Sequence, residues 1–433
     1  MKKIKVGLIG FGTIGTGVVR LLQQRSGFLA KRAGIALELA VICDKDLKTK
    51  RSVKINSKLL TSDISQVIDN PEIDIVIELM GGIHPAKEFI LKALKNKKSV
   101  ITANKALLAE AGEQIFRAAA ENNVHVYFEA SVGGGIPVIK SLREGLAANK
   151  IQAIYGIVNG TTNFILSEMS DKAAGFKEVL ALAREKGYAE AKPALDIDGI
   201  DPAHKLAIMG SLGFGTNLKL KDIYIEGIRD ISATDICYAA QFGYVIKLLA
   251  IAKRSGRQLE ARVHPTLIPS NHLLAQVKGV FNAVFIDGDQ VGKTMLYGKG
   301  AGQLPTASAV VSDLIDVARC ISDKDKNIIP PVILEKDIIG IKPMSEIQTR
   351  YYIRFSATDQ PGVLARISSI LARNNISIAS VIQIERHWAK TVPIIMMTHE
   401  AGEKSVQKAL KQIDQLVIIK KKSVCIRIET LED

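Results

Sequence analysis

The feature that most narrows the fold lies within the first fifteen residues. Residues 6–9 form a short apolar run, and Gly10-Phe11-Gly12-Thr13-Ile14-Gly15 follows directly, with an amphipathic segment beyond. Glycines at this spacing, between a strand and a helix, let the chain turn tightly and bring its backbone close to a pyrophosphate, which the helix N-terminus meets with amide donors. The pattern predicts a dinucleotide-binding unit with Gly10, Gly12, Thr13, Ile14 and Gly15 at the phosphates. Further apolar strands are expected over 37–42, 73–79, 99–102 and 125–128, with helical periods between them, including one over 85–95. That alternation predicts an α/β, doubly wound parallel sheet.

In such a sheet ligands gather at the carboxyl ends of the strands, and those ends carry the unusual residues. The second strand runs into Asp44 and Lys45, with Lys48, Lys50 and Arg51 beyond. An acid there takes the ribose hydroxyls of NAD and a cation accommodates the 2′-phosphate of NADP, so the cofactor reads as NADP or NAD. Thr102-Ala103-Asn104-Lys105 places Lys105 just after a strand and ahead of a helix, pointing into the crevice near a nicotinamide. Glu129-Ala130-Ser131-Val132-Gly133-Gly134-Gly135-Ile136-Pro137 is either a bend around a ligand or cation, with Glu129 as its anionic partner, or a hinge between domains. Asn159-Gly160-Thr161-Thr162-Asn163 reads as a turn with helix caps, and its position also suits the wall of a site.

Polar chemistry is densest over 183–208, where Glu190, Asp196, Asp198 and Asp201 fall within a dozen residues and Lys205 follows. Asp201-Pro202 predicts a helix start, with Asp201 as N-cap and Pro202 at the first helical position, so Lys205 lies one turn inside. The stretch is either a solvated acidic loop or a carboxylate and an ammonium held together at a helix mouth. Asp198 is read as a solvated acid, and 210–291 as core and subunit interface without further polar chemistry.

The chain of 433 residues is expected to hold two or three domains. Its net charge of +14 comes from dispersed Lys and Arg, with no dense basic block interleaved with aromatics, so small anionic molecules rather than nucleic acid are the expected partners. Cys43, Cys237, Cys320 and Cys425 stand far apart without metal-ligand spacing, as in reduced cytoplasmic proteins. Neither a signal peptide nor a membrane span is visible, and no membrane partner is expected. Beyond 323 the pattern loosens into a linker, and 350–433 follows a βαββαβ order, the ferredoxin-like motif.

GFGTIG, TANK, EASVGGGIP, VNGTTNFIL and the acidic pattern ending in Lys205, in this order, resemble homoserine dehydrogenase, and the run from Gly300 to Val310 resembles that family's return to its nucleotide domain. The resemblance implies a Rossmann-like nucleotide domain over 1–135 with a return segment over 300–322, an α+β catalytic and dimerisation domain over 136–299, a linker over 323–349 and a regulatory domain over 350–433. It implies NAD(P)-dependent interconversion of L-aspartate 4-semialdehyde and L-homoserine, in threonine, methionine and isoleucine biosynthesis. In that family pattern Lys205 carries the proton on the substrate oxygen, Asp201 and Lys105 join it, and Glu190, Asp196 and Asp201 hold the substrate. Thr102, Gly187 and Gly302 approach the cofactor. Glu129, Val132, Gly134 and Ile136 match a site for a monovalent cation, sodium, with three of the four offering backbone carbonyls.

The Asp359-Gln360-Pro361-Gly362-Val363-Leu364 turn resembles the ACT domain, which implies an amino-acid effector, threonine, at Asp359, Gly362, Val363 and Leu364. A homodimer or homotetramer is expected, and removal of the chain after about residue 350 is expected to leave activity while abolishing the threonine response. With no kinase-like segment before Met1, a monofunctional enzyme is expected. The other readings are an oxidoreductase of another amino-acid aldehyde and a non-catalytic amino-acid sensor.

Overall fold

A computed structural model describes residues 3–322, 332, 340–383 and 391–431. The linker expected over 323–349 therefore lies largely outside the described residues. The chain resolves into two compact units, the first built from Met1–Ile154, His204–Ile223 and Asn282–Ile338, and the second from Tyr155–Ala203, Tyr224–Phe281 and Ile339–Asp433.

Six strands form the sheet of the first unit: β1 (Lys3–Ile9), β2 (Ala36–Cys43), β3 (Leu60–Thr61), β4 (Ile75–Glu78), β5 (Ser99–Thr102) and β6 (Val126–Tyr127). They are all parallel, in the order β3-β2-β1-β4-β5-β6, which is the doubly wound order. The central strands are buried along their length because helices cover both faces, so they read as apolar runs rather than as alternation. The helix Thr13–Gln24 turns Val18, Val19 and Leu22 inward, and the helix Gln303–Ser322 returns to join the same core with Val310, Leu314 and Val317. The two helices approach closely at Gly17, where a Cβ would stand 2.9 Å from the Gln303 carbonyl oxygen.

In the second unit β7 (Tyr244–Ser255) and β8 (Gln258–Pro269) form an antiparallel hairpin. The C-terminal segment contributes β9 (Gln348–Thr358), the helix Val363–Arg373, β10 (Ile378–Gln383), β11 (Thr391–Thr398), the helix Glu403–Asp414 and β12 (Ile419–Ile428). Its strands lie in the order β12-β9-β11-β10, all antiparallel, and with two helices this is the expected ferredoxin-like fold. Tyr351, Ile353 and Phe355 of β9 pack with Ile367, Leu371, Val406 and Leu410 of the two helices.

This segment is not a separate bead. β12 pairs in parallel with β8, Thr266 opposite Arg427 and Leu267 opposite Ile428, so one sheet runs through both. Buried charges cross the same seam. Asp235, with no side-chain exposure, takes Arg354 Nε at 2.6 Å and the Tyr352 hydroxyl at 3.0 Å. Arg262 pairs with Glu260 and Glu429, and Arg427 donates to Glu403 and, at 2.8 Å, to Glu226. One expectation is corrected here. Residues 210–291 do carry polar chemistry, in Asp235, Lys247, Glu260, Arg262 and His264, all buried. Removal of the C-terminal segment would strip several of these groups of their partners.

Candidate active site

The glycine turn is built as a phosphate cradle. Gly10 has φ +97°, donates its N–H to the Cys43 carbonyl at 2.9 Å, and would place a Cβ 2.6 Å from the Leu79 backbone. A Cβ on Gly15 would stand 2.2 Å from the Gly10 carbonyl oxygen. Gly12 is exposed, with nothing within 4 Å of a Cβ position, and caps the helix that opens at Thr13, with Ile14 half-buried behind it. Two glycines therefore permit the turn, and the third leaves the helix mouth open to a ligand. The residues fit a dinucleotide.

Both oxygens of Asp44 accept backbone amides, one from Phe11 inside the glycine turn and the other from Asp46 at 2.8 Å. Lys45 is exposed. Of the cations in this loop Arg51 reaches the turn: its Nε donates to the Phe11 carbonyl at 3.1 Å and its guanidinium lies over the Phe11 ring. At the return segment Gly302 has φ +121°, and the neighbouring Gln303 donates to the Thr13 carbonyl at 3.0 Å.

At the ends of β4 and β5 a buried bond joins the Thr102 hydroxyl to Glu78 at 2.6 Å, while the second Glu78 oxygen accepts the amides of Met80 and Gly81. Asn104 caps the helix Lys105–Asn122 by accepting the Leu107 N–H and reaches back to the Gly82 carbonyl at 2.6 Å. Lys105 is thus the first residue of a helix fixed at both its cap and its strand, and it is half-buried. Glu78 and Asn104 were missed in the sequence, although Asn one residue before a helix is a recognisable cap.

Glu129 is buried, and both carboxylate oxygens accept amides at 2.8 Å, from Ile139 and Lys140. Its own N–H donates to Asp313 at 2.8 Å. Burial raises the Glu129 carboxyl above its ordinary range, and burial with Glu129 beside it raises Asp313 well above its own. The Glu129 side chain therefore serves its own loop, and a cation here would rely on backbone carbonyls. Val132 and Ile136 are buried, and Gly134 has φ +54°, with a Cβ position 2.6 Å from the Gly300 carbonyl oxygen. Among the described residues no group of three or more His, Cys, Asp or Glu is arranged to hold a metal ion.

In the second unit one side chain organises the acids. Asn159, 5% exposed, caps the helix Gly160–Lys172, its Oδ1 accepting the Thr162 N–H at 2.9 Å. Its Nδ2 donates to Asp196 at 2.7 Å and to Asp201 at 2.8 Å. One amide thus bridges two carboxylates that would otherwise repel. The helix Ile200–Phe214 begins one residue before Asp201, so Asp201 lies inside the first turn and not at the cap. Lys205 follows four residues later on the same helix face, and both side chains are buried. Asp198 is not simply solvated, because it pairs through both oxygens with Arg229.

Gly187, at φ +72°, and Glu190 are exposed on the loop between helices, tied by the Thr161 hydroxyl to the Tyr188 carbonyl at 2.6 Å. At the 359–364 turn Gly362, at φ +86°, caps the helix Val363–Arg373; Asp359 is half-buried, Val363 enters the core and Leu364 is exposed.

Residues 10–129 match the homoserine dehydrogenase NAD-binding domain, 137–315 match homoserine dehydrogenase and 351–417 match the ACT domain. The chain is 46% identical over 435 residues to homoserine dehydrogenase of Pseudomonas aeruginosa and 44% identical over 436 residues to that of Neisseria gonorrhoeae, covering 100% of both chains in each case. The crystal structure of a homoserine dehydrogenase from Thiobacillus denitrificans is 45% identical, with a TM-score of 0.92, over 100% of this chain and 99% of that one. A hyperthermophilic archaeal homoserine dehydrogenase in complex with NADPH is 26% identical, with a TM-score of 0.64, over 76% of this chain and 99% of that one. With its glycine cradle, its bridged carboxylates and relatives matched from end to end, the chain belongs to the homoserine dehydrogenases, NAD(P)-dependent oxidoreductases of amino-acid biosynthesis.

Proposed function

We propose that in the homoserine dehydrogenase reaction Lys205 carries the proton on the substrate oxygen, while Glu190, Asp196 and Asp201 hold the substrate. As the neutral amine, Lys205 accepts the hydroxyl proton of L-homoserine during oxidation; as the ammonium, it returns that proton to the oxygen of L-aspartate 4-semialdehyde. A bound nicotinamide supplies the two-electron exchange with the substrate carbon. Lys105, fixed by Asn104 and the end of β5, orients cofactor and substrate with Thr102, and Gly187 and Gly302 give close approach. The observation that carries this reading is the Asn159 amide, which holds two carboxylates at the mouth of the helix bearing Lys205.

The preferred cofactor is NADP. Asp44 is occupied by the Phe11 and Asp46 amides, and the exposed Lys45 offers the cation that a 2′-phosphate needs, while Arg51 directs its donors to the Phe11, Thr49 and Asp46 carbonyls beside the glycine turn. A sodium ion would be held by carbonyls of the loop containing Val132, Gly134 and Ile136, which Glu129 braces. Threonine is the effector of the C-terminal segment, the active species is a cytoplasmic homodimer or homotetramer, and the domains follow 1–135 with 300–322, 136–299 and 350–433.

The test is the initial rate of NAD⁺ and NADP⁺ reduction with L-homoserine, with and without L-threonine, for the unmodified chain and Lys205→Ala. Loss of the proton carrier should lower kcat by about 10²–10⁴-fold with cofactor binding retained. Turnover of the variant within a few-fold of the parent would remove Lys205 from this role, and a rate ratio favouring NAD⁺ would reverse the cofactor reading.

A further inference from the structure

Lys247 stands in β7 between Ile246 and Leu248 and is only 2% exposed. A lysine in an apolar strand ordinarily carries its ammonium out to water along its methylene stem. Here Nζ turns inward, donating to Asn163 Oδ1 at 3.0 Å and to the Val277 carbonyl. Both acceptors are neutral, so hydrogen bonds alone offset the cost of burying the group, and burial holds its pKa down at about 8. An apolar side chain would fill the position without that cost. What the lysine contributes is therefore the two bonds.

These bonds fasten residues 277–281 along the first turns of the helix Gly160–Lys172. Asn163, itself buried, donates through Nδ2 to the Gly279 carbonyl at 3.0 Å and to the Phe281 carbonyl at 3.1 Å. One turn on, Ser167 Oγ accepts the Gly279 N–H at 3.2 Å and donates to the Asn163 carbonyl at 2.7 Å. The seam is close at the helix start, where a Cβ on Gly160 would stand 2.8 Å from the Val280 carbonyl oxygen. Asn159, the cap of this helix, accepts the Asn163 N–H on its carbonyl at 3.2 Å. Its Oδ1 takes both the N–H and the hydroxyl of Thr162, each at 2.9 Å, which fixes the sense of the amide and leaves Nδ2 facing Asp196 and Asp201. Lys247 thus reaches the two carboxylates through Asn163 and then Asn159.

We propose that Lys247 is a positioning residue for the substrate site: by clamping Asn163 and Val277 it sets the first turn of the Gly160–Lys172 helix, and with it the Asn159 amide that bridges Asp196 and Asp201. The inference rests on the reading that those two carboxylates hold the substrate. A displacement of about 1 Å in a group that orients substrate costs up to about 100-fold. The test is steady-state kinetics of the full chain, Lys247→Met, Asn159→Ala and the double variant, with KM for L-homoserine and KM for the nicotinamide cofactor measured separately. KM does not depend on the fraction of enzyme that is folded, so partial unfolding does not mimic the effect. Lys247→Met should raise KM for L-homoserine about tenfold or more, leave KM for the cofactor within about twofold of the parent, and add less than about twofold to Asn159→Ala, since both cut one path. Ser167→Ala, a milder cut at the same seam, should raise the homoserine KM about twofold or more, and it decides the matter where Lys247→Met does not fold. An unchanged homoserine KM in the folded Lys247→Met or in Ser167→Ala, equal rises for both ligands, or Lys247→Met and Asn159→Ala effects that multiply would each overturn the proposal. If Asn159→Ala itself leaves the homoserine KM unchanged, the reading of the carboxylates falls first and the proposal with it.

Discussion

Removal of the chain from Arg350 onward should destroy the enzyme and not merely deregulate it. The truncation deletes Arg354, Arg427 and Glu429, the partners that meet Asp235 and Arg262 across the seam; in the intact chain the Asp235 side chain is 0% exposed and that of Arg262 2%. With the covering segment gone both groups open to water, so each site loses a charge-assisted hydrogen bond worth about 1.5–3 kcal/mol, about 3–6 kcal/mol together. A domain's whole stability is about 5–15 kcal/mol, and the truncation also uncovers the β8 edge that β12 pairs with. The truncated chain should therefore fail to accumulate as folded protein and show neither cooperative melting nor turnover. Arg354→Met isolates one term and should cost about 3–5 kcal/mol in urea unfolding. Adding Asp235→Asn should restore part of that loss, because the stranded charge is then gone. A truncated chain with the parent's melting temperature and kcat would refute the argument, as would an Arg354→Met variant of unchanged stability.

Asn159→Ala removes a helix cap worth about 1 kcal/mol and two charge-assisted hydrogen bonds worth about 1.5–3 kcal/mol each. It should lower kcat/KM for L-homoserine by about 100-fold or more while the circular dichroism spectrum stays folded; a kcat/KM near that of the parent would show that the bridged carboxylates do not bear on the substrate. Lys247 is buried against Asn163 and the Val277 carbonyl, and burial, with Lys278 adding to it, lowers its pKa from 10.5 to about 8. Since the folded form gives up this proton first, the unfolded chain binds more protons between about pH 8 and 10.5, and stability contributed here rises across that window by about 3 kcal/mol and is flat below it. Lys247→Met should lack the rise, and identical pH slopes for the two proteins in chemical denaturation would contradict the assignment.

What could be read from the sequence divides according to where a residue's partner lies. Gly10 and Gly15 were legible because the demand on them is local: a turn with φ +97° and a carbonyl 2.2 Å from a Cβ position tolerate glycine alone. The position of Lys105 was legible for a similar reason, as the residue that follows a strand and opens a helix. Asn159 was half legible. Its cap on Thr162 follows from the next three residues, but the carboxylates on its amide are 37 and 42 positions away. Asp235 and Arg262 were not legible at all, since their partners in the C-terminal segment are 119 and 167 positions distant. A lone charge in an apolar stretch reads as solvated until the fold supplies its counterion, and only then does the cost of burying it become a reason for its presence. The same division explains Asp198, which reads as a solvated acid in sequence and pairs with Arg229 once the 226–231 segment is laid against it. Asp196, two residues earlier, shares that backbone, so the charge that looked least functional in sequence fixes the loop carrying one of the two carboxylates on the Asn159 amide.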